Sequence, residues 1–216
     1  MACPQCKGLE SLFDRRTAEA DLRRYRQRGP ARSTRILLDA LKRDGIRGAT
    51  LLDIGGGIGA IPLDLLPAGA ASATDVDAAS GYLAVAQEEA ERRGLSERVT
   101  YRHGDFVTLA ADVPPADIVT LDRVVCCYPD MRALVGASAA HARRLYGLVY
   151  PRDTWLTRLG GRVFNAVLTL TRSSFRFFTH PTSDVDAVIQ SSGLRPTYHR
   201  DAGLLWQVVV YSRTAA

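Results

Sequence analysis

An α/β fold with a mostly parallel sheet and helices on both faces is what this sequence predicts, and three observations predict it. Apolar runs of strand length alternate with helical stretches along the chain. The first such strand runs straight into the glycine turn Gly55–Gly56–Gly57–Ile58–Gly59. Carboxylates recur at successive strand ends, in Asp53, Asp75 and Asp105. The 216 residues suit one domain, 1–216, with a full core. Within it, 1–47 reads as a helical cover, 50–150 as a cofactor-binding core, 154–181 as an insertion and 183–212 as a last helix with two strands.

Composition narrows the class. At 46% hydrophobic and 24% charged residues the chain is ordinary globular protein, and no apolar run is long enough to span a bilayer. The start, MACPQCKGLE, has no apolar targeting core, and four cysteines, as one CxxC and one adjacent pair, make no disulfide framework. A cytoplasmic protein is expected. Net charge is +5, with a pI near 9.2. Residues 1–47 hold 12 Lys+Arg against 6 Asp+Glu, a net of +6, and the remainder holds 16 against 17, a net of −1. The basic excess therefore sits ahead of the glycine turn, where it fits an anionic small substrate, a phosphate-tracking surface or a solvated helix face.

The elements follow in order. Gly8–Arg28 reads as a helix, stopped by Gly29-Pro30; a second, Arg35–Asp44, is capped by Ser33 or Thr34 and ended by Gly45. Strand one contains Leu51, Leu52 and Ile54, and a helix starts near Ile58. Glycines at the turn between them tolerate positive φ and let a ligand lie against bare backbone, while the helix start offers unpaired N–H groups. Strand two is expected over Ala70–Asp75, helix Ala78–Arg93 after it, with Asp77 as its cap and Glu88/Arg92 and Glu89/Arg93 as ion pairs. Strand three is Arg98–His103, strand four Asp117–Asp122, then helix Met131–His141 and strand five Arg144–Tyr150. Thr154–Pro181 is too long for a simple connection and carries Trp155, Leu159, Val163, Val167 and Leu170 at helical spacing, interrupted by Gly160-Gly161. Helix Ser183–Ser192 and strands Arg195–His199 and Leu204–Tyr211 finish the chain.

Which nucleotide the turn holds is decided by charge. Gly55-x-Gly57-x-x-Ala60 also fits a dinucleotide fingerprint, but Asp53 at the strand end would repel a pyrophosphate and attract a cation. Asp53 followed by Gly55, Gly57 and Gly59 resembles the first motif of class I S-adenosylmethionine (SAM) methyltransferases. That resemblance implies a Rossmann-like fold with a seven-stranded sheet, its last strand antiparallel, and SAM as cofactor. It places Asp53 near the methionine end, Asp75 with its neighbour Val76 at the ribose, Asp105 at the adenine amine with Phe106 flanking the ring, and Asp122 at the strand-four end facing the transferring methyl. The order FDRR, LDRVVCCY, VYPRDTWLTRLG and THP further resembles magnesium-protoporphyrin O-methyltransferases.

The chemistry expected is methyl transfer to a small organic acceptor, a carboxylate or a phenol. In-line displacement mainly requires alignment. A hydroxyl acceptor also loses a proton, for which Asp122, Tyr128 and His180 are the candidate bases; a carboxylate needs only orientation, for which arginine is suited. The acceptor pocket is expected between the N-terminal helices, the strand-four end and the insertion, with Tyr25, Tyr128, Trp155, Phe178 and His180 as walls and Arg123, Arg152 and Arg176 as anion partners. Two alternatives stand beside this: an RNA methyltransferase, against which no base-flipping motif follows strand four, and a non-catalytic SAM-binding subunit. Cys3-Pro4-Gln5-Cys6 has half a zinc site's spacing, which Cys126-Cys127 would have to complete; no metal is expected.

Overall fold

The computed structural model of the protein describes residues 12–171 and 173–213; Cys3, Cys6, the first turn of the expected leading helix and Arg172 lie outside them. Its sheet has seven strands: β1 Thr50–Ile54, β2 Ser72–Asp77, β3 Val99–His103, β4 Ala116–Asp122, β5 Ala142–Pro151, β6 Leu194–Ala202 and β7 Trp206–Arg213. Their order is β3-β2-β1-β4-β5-β7-β6, with β7 antiparallel to both its neighbours and the other pairings parallel. The order reverses between β1 and β4, and ligands of open parallel sheets bind outside the strand ends at such a point.

Side-chain alternation builds the core twice over. Leu51, Ile118, Leu145 and Val210 point to one face and pack with α2, Arg32–Arg43, through Leu37, Leu38 and Leu41. Leu52, Val119, Leu121, Leu148 and Val209 point to the other and pack with α6, Met131–His141, and α8, Thr182–Ser191. Gly147 stands in β5 because α2 lies close: a Cβ there would sit 2.7 Å from Leu37 Cδ1. Truncating a leucine such as Leu37, fully buried, would cost about 2–5 kcal/mol.

Within the described residues the expected helix is broken at Phe13-Asp14, and α1, Arg15–Arg28, starts there because Asp14 accepts from the Thr17 amide and caps it. It lies across α4, Ser80–Arg92. A Cβ on Gly81 would meet the Arg15 backbone nitrogen at 2.6 Å, so the two helices touch backbone to backbone. Arg15 reaches Glu88 at 2.8 Å, and Tyr82 donates to Asp21 at 2.7 Å. Arg92 pairs with Glu89 and not with Glu88, joined there by Arg93 and Arg26. Glu89 is fully buried and its carboxyl titrates far below the usual range, first through the Arg92 hydrogen bonds and against the cost of burial.

Three further expectations are corrected. Neither Ser33 nor Thr34 caps α2; Ala31 precedes it and both lie buried within it. The strand β2 is displaced by two residues and ends at Asp77, so Asp75 is internal. Gly160-Gly161 do not interrupt the insertion: α7 runs unbroken over Trp155–Leu170, capped by Thr154.

Candidate active site

A cavity of about 910 Å³ opens at the C-terminal edge of the sheet where the strand order reverses. Its floor is the glycine turn, which leads into α3, Ala60–Leu65. Gly55, Gly57 and Gly59 all have positive φ. At Gly57 an added Cβ would meet nothing nearer than the Tyr82 ring at 3.6 Å, so the backbone is bare toward the cavity. At Gly56, which spacing alone did not single out, a Cβ would strike the Asp75 carboxylate at 2.5 Å.

Four carboxylates define the electrostatics. Asp53 is buried in β1 and accepts from the Thr120 hydroxyl at 2.7 Å, leaving Oδ2 without a partner. Burial raises its carboxyl to about 7, with Asp122 and Asp77 adding repulsion against the Thr120 bond. Asp77 lines the cavity at the end of β2, where it accepts from the Gly57 amide at 2.9 Å and the Ala79 amide at 2.8 Å; burial raises it too. Asp105 caps the short α5, Phe106–Leu109, through the Val107 amide and accepts from the Tyr128 hydroxyl at 2.9 Å. Asp122, at the end of β4, takes the Thr34 hydroxyl on one oxygen and Arg123 Nε on the other, at 3.0 Å.

Asp75 is the exception. It is fully buried, is absent from the cavity wall, and has no hydrogen-bond partner on either oxygen. Desolvation, then Asp53, holds its carboxyl well above the usual range. At the end of β2, where the sequence pattern put Asp75, stands Asp77, because the true strand end lies two residues on. Val76 and Phe106 both reach the cavity wall, Phe106 with its edge against His141 at 5.3 Å.

Above the cofactor floor the cavity is roofed by α1, α2 and α7. Tyr25, Arg123 and Tyr128 line it as expected. Arg152 does not: it pairs with Asp201 at 2.9 Å on β6. Trp155 is 72% exposed and turned to solvent. His180 and Phe178 stack on each other beneath the strand-four loop, where His180 Nε2 meets the Tyr128 carbonyl at 3.1 Å and burial lowers its basicity. Arg176 bonds the Ser173 and Phe175 carbonyls. In their place stand Thr34, Arg35, Phe164, Phe175 and Phe177. A signal for Phe177 was in the sequence: a Cβ on Gly161 would meet it at 3.1 Å, so Gly161, unlike the exposed Gly160, stands on the packed face of α7. Arg123 carries φ +64, rare for a side-chain-bearing residue and typical of strained functional turns. Cys126 and Cys127 lie next to it with their sulfurs 3.8 Å apart, and among the described residues no group of three or more potential ligands comes together for a metal.

A family model described as methyltransferase domain matches residues 51–145. This stretch resembles that family. The model's span contains the glycine turn and Asp53, Asp77, Asp105 and Asp122, the residues that meet at the cavity. The chain also shares 40% identity over 83 residues with a release factor glutamine methyltransferase from Moorella thermoacetica, 36% of this chain but 29% of that protein. In fold, the chain is similar to magnesium protoporphyrin IX methyltransferase from Synechocystis PCC 6803 with bound S-adenosylhomocysteine. The TM-score is 0.67 at 19% identity, over 84% of this chain and 82% of that one. An O-methyltransferase family protein from Burkholderia thailandensis gives 0.66 at 18% identity, over 84% of this chain and 56% of that one. The cofactor of such a domain is SAM, and the residues present fit it: Asp53 Oδ2 is an orphaned buried acceptor suited to a cation, beside a glycine cradle open to the cavity.

Proposed function

We propose that the protein is a SAM-dependent methyltransferase that esterifies the carboxylate of a small, largely apolar or aromatic acid. The observation that carries this is the single cavity whose floor joins the glycine turn to Asp53, Asp77 and Asp105, and whose roof is aromatic with arginines at its rim. Its volume suits a cofactor with a small acceptor. A roof closed by three helices disfavours a nucleic-acid strand.

In this reading Asp53 draws the cationic end of the cofactor, Asp77 accepts from the ribose hydroxyls, and Asp105 accepts from the adenine amine. SAM, when bound, supplies a methyl group on a sulfonium, which a nucleophile takes in line. Phe13, Phe164, Phe175 and Phe177 hold the acceptor's body and exclude water, and Arg123 with Arg35 orients its carboxylate. A carboxylate is favoured over a phenol because the cavity's acids are engaged or face the cofactor: Asp53 meets the cofactor's cation, Asp122 already accepts from Thr34 and Arg123, and Asp105 from Tyr128. A carboxylate acceptor needs no proton removed.

Calorimetry with SAM and with NAD tests the cofactor, and a panel of carboxylic, phenolic and amine acceptors assayed for S-adenosylhomocysteine release tests the acceptor. Turnover confined to amines, or NAD binding without SAM binding, would refute the reading.

A further inference from the structure

The outer surface of α7 is apolar where a surface helix should be polar. At 100° per residue, Trp155, Leu159, Val163, Val167 and Leu170 share an arc of about 120°. All five face solvent, Trp155 at 72% and Leu170 at 84% exposure. Thr157, Gly161 and Leu168 face inward on the opposite side. Leu204, 82% exposed in the β6–β7 turn, extends the patch, because Arg152 ties that turn to the start of α7 through the Gly203 and Leu205 carbonyls. Apart from Leu12, every large exposed hydrophobic among the described residues lies on α7 or this turn. Scattered exposed leucines need no explanation, but a contiguous patch of this kind marks a binding surface.

Charge says what covers it. From Thr154 to Ser183 the sequence has four arginines and no carboxylate. Arg158 and Arg162 stand on α7 at the flank of the apolar arc, and both are exposed; Arg158 is partly offset by Asp153. The face thus keeps a net positive charge at Arg162, which a second copy would duplicate and an anionic surface would complement. Residues 1–11, MACPQCKGLES, hold too few apolar side chains to cover it. A surface that accepts an apolar helix face and attracts arginines is an anionic lipid bilayer. Tryptophan at one end, aliphatic side chains along one face and arginines beside them are the pattern of a helix lying in a membrane interface. No helix among the described residues is long and apolar enough to cross a membrane, so the helix lies in the surface and does not span.

We propose that α7 docks the protein on anionic membranes, with Trp155, Leu159, Val163 and Leu170 inserted and Arg162 at the headgroups. The inference stands on the surface of α7 alone and holds whatever the acceptor is.

The test uses the whole chain with vesicles of phosphatidylcholine, with and without about 30% phosphatidylglycerol, whose negative surface attracts basic residues. Co-sedimentation and the emission of a Trp206→Phe variant, in which Trp155 is the one tryptophan of this sequence, are the readouts. Binding to anionic vesicles with a blue shift of Trp155, at least tenfold weaker on neutral vesicles and reduced by salt, is expected. Leu159→Glu/Val163→Glu should abolish it and Arg162→Glu should weaken it. Circular dichroism and SAM calorimetry on each variant check that the fold and cofactor site persist; Leu159→Ser/Val163→Ser is the milder substitute if the glutamates unfold the protein. No binding to anionic vesicles, or binding indifferent to these substitutions, would overturn the proposal. So would a lipid-free dimer by light scattering that the same substitutions dissolve, which would assign the face to a second copy.

Discussion

Asp53 and Asp75 stand opposite each other on neighbouring strands, in register and both buried, and among the described residues no basic side chain forms an ion pair with either. Tyr101 flanks Asp75 on β3, Thr120 flanks Asp53 on β4, and Asp77 and Asp122 lie beyond. Two buried carboxylates side by side cannot both be charged at low cost, so the free protein keeps them protonated to higher pH than ordinary acids. The sign follows. With Asp53 at about 7 when folded against an ordinary 3.8, its contribution to stability is fully present below about 3.8 and is lost as pH rises through 7.

A cationic cofactor reverses that penalty, which gives the first expectation. SAM should bind about tenfold more tightly at pH 8 than at pH 6, as the ionised fraction of Asp53 rises from roughly a tenth to nine-tenths. Binding near pH 6.5 should release protons, seen by calorimetry in buffers of different ionisation enthalpy. A flat pH profile would show that Asp53 does not meet the cation.

Asp77 and Asp75 should separate cleanly. Asp77→Ala should weaken SAM binding by about 1.5–3 kcal/mol, the range for hydrogen bonds to a charged partner. Asp75→Asn should leave affinity within about threefold and stability unchanged or raised, since it replaces a carboxyl whose charged form burial and Asp53 disfavour. Titration calorimetry with both variants decides, and the opposite ranking would return the ribose to Asp75.

Glu89 is a stability element and touches no ligand. Its three arginines are each partly exposed, so solvent screens part of the gain. Glu89→Gln should cost about 2 kcal/mol, lowering the melting temperature by roughly 4–8 °C without changing the SAM affinity. Because the carboxyl titrates below its ordinary value, the stabilisation is present above about 4.5 and is lost as pH falls further.

At Arg123 backbone and side chain are expected to pull apart. Arg123→Gly relieves a left-handed conformation worth roughly 1–2 kcal/mol, whereas Arg123→Ala keeps the strain. Both lose the Asp122 ion pair. The glycine variant should therefore melt higher than the alanine variant, while kcat/KM for a carboxylate acceptor falls at least tenfold in both.

Much of this was legible in the chain itself. Helix Met131–His141 lies where its pattern puts it, between the Asp130 cap and strand five, and the glycine turn lies where Asp53 and the spacing put it. The β2 end was misplaced because Ala70–Thr74 are small residues with no burial alternation, followed by Asp75 and Asp77, two equally good strand-end acids. Only pairing with β1 and β3 decides between them. The facing of α7 was hidden for a related reason. A helix apolar on most sides does not reveal which side is inside, and the compact Gly161 and Thr157 make the inner contact. Thr34 looked like a cap, and its role beside Asp122 exists only once α2 lies over β4.

The backbone contact between Gly81 and Arg15 has a kinetic consequence. A wall seated that closely on α4 and pinned by Tyr82 and Glu88 does not swing aside without breaking the fold around the glycine turn. Exchange then belongs to the α7 side, where the acceptor lies above the donor. The lower guest must arrive first and leave last. Steady-state turnover should accordingly be ordered, with S-adenosylhomocysteine competitive against SAM and noncompetitive against the acceptor, and a random pattern of product inhibition would show that α1 moves after all.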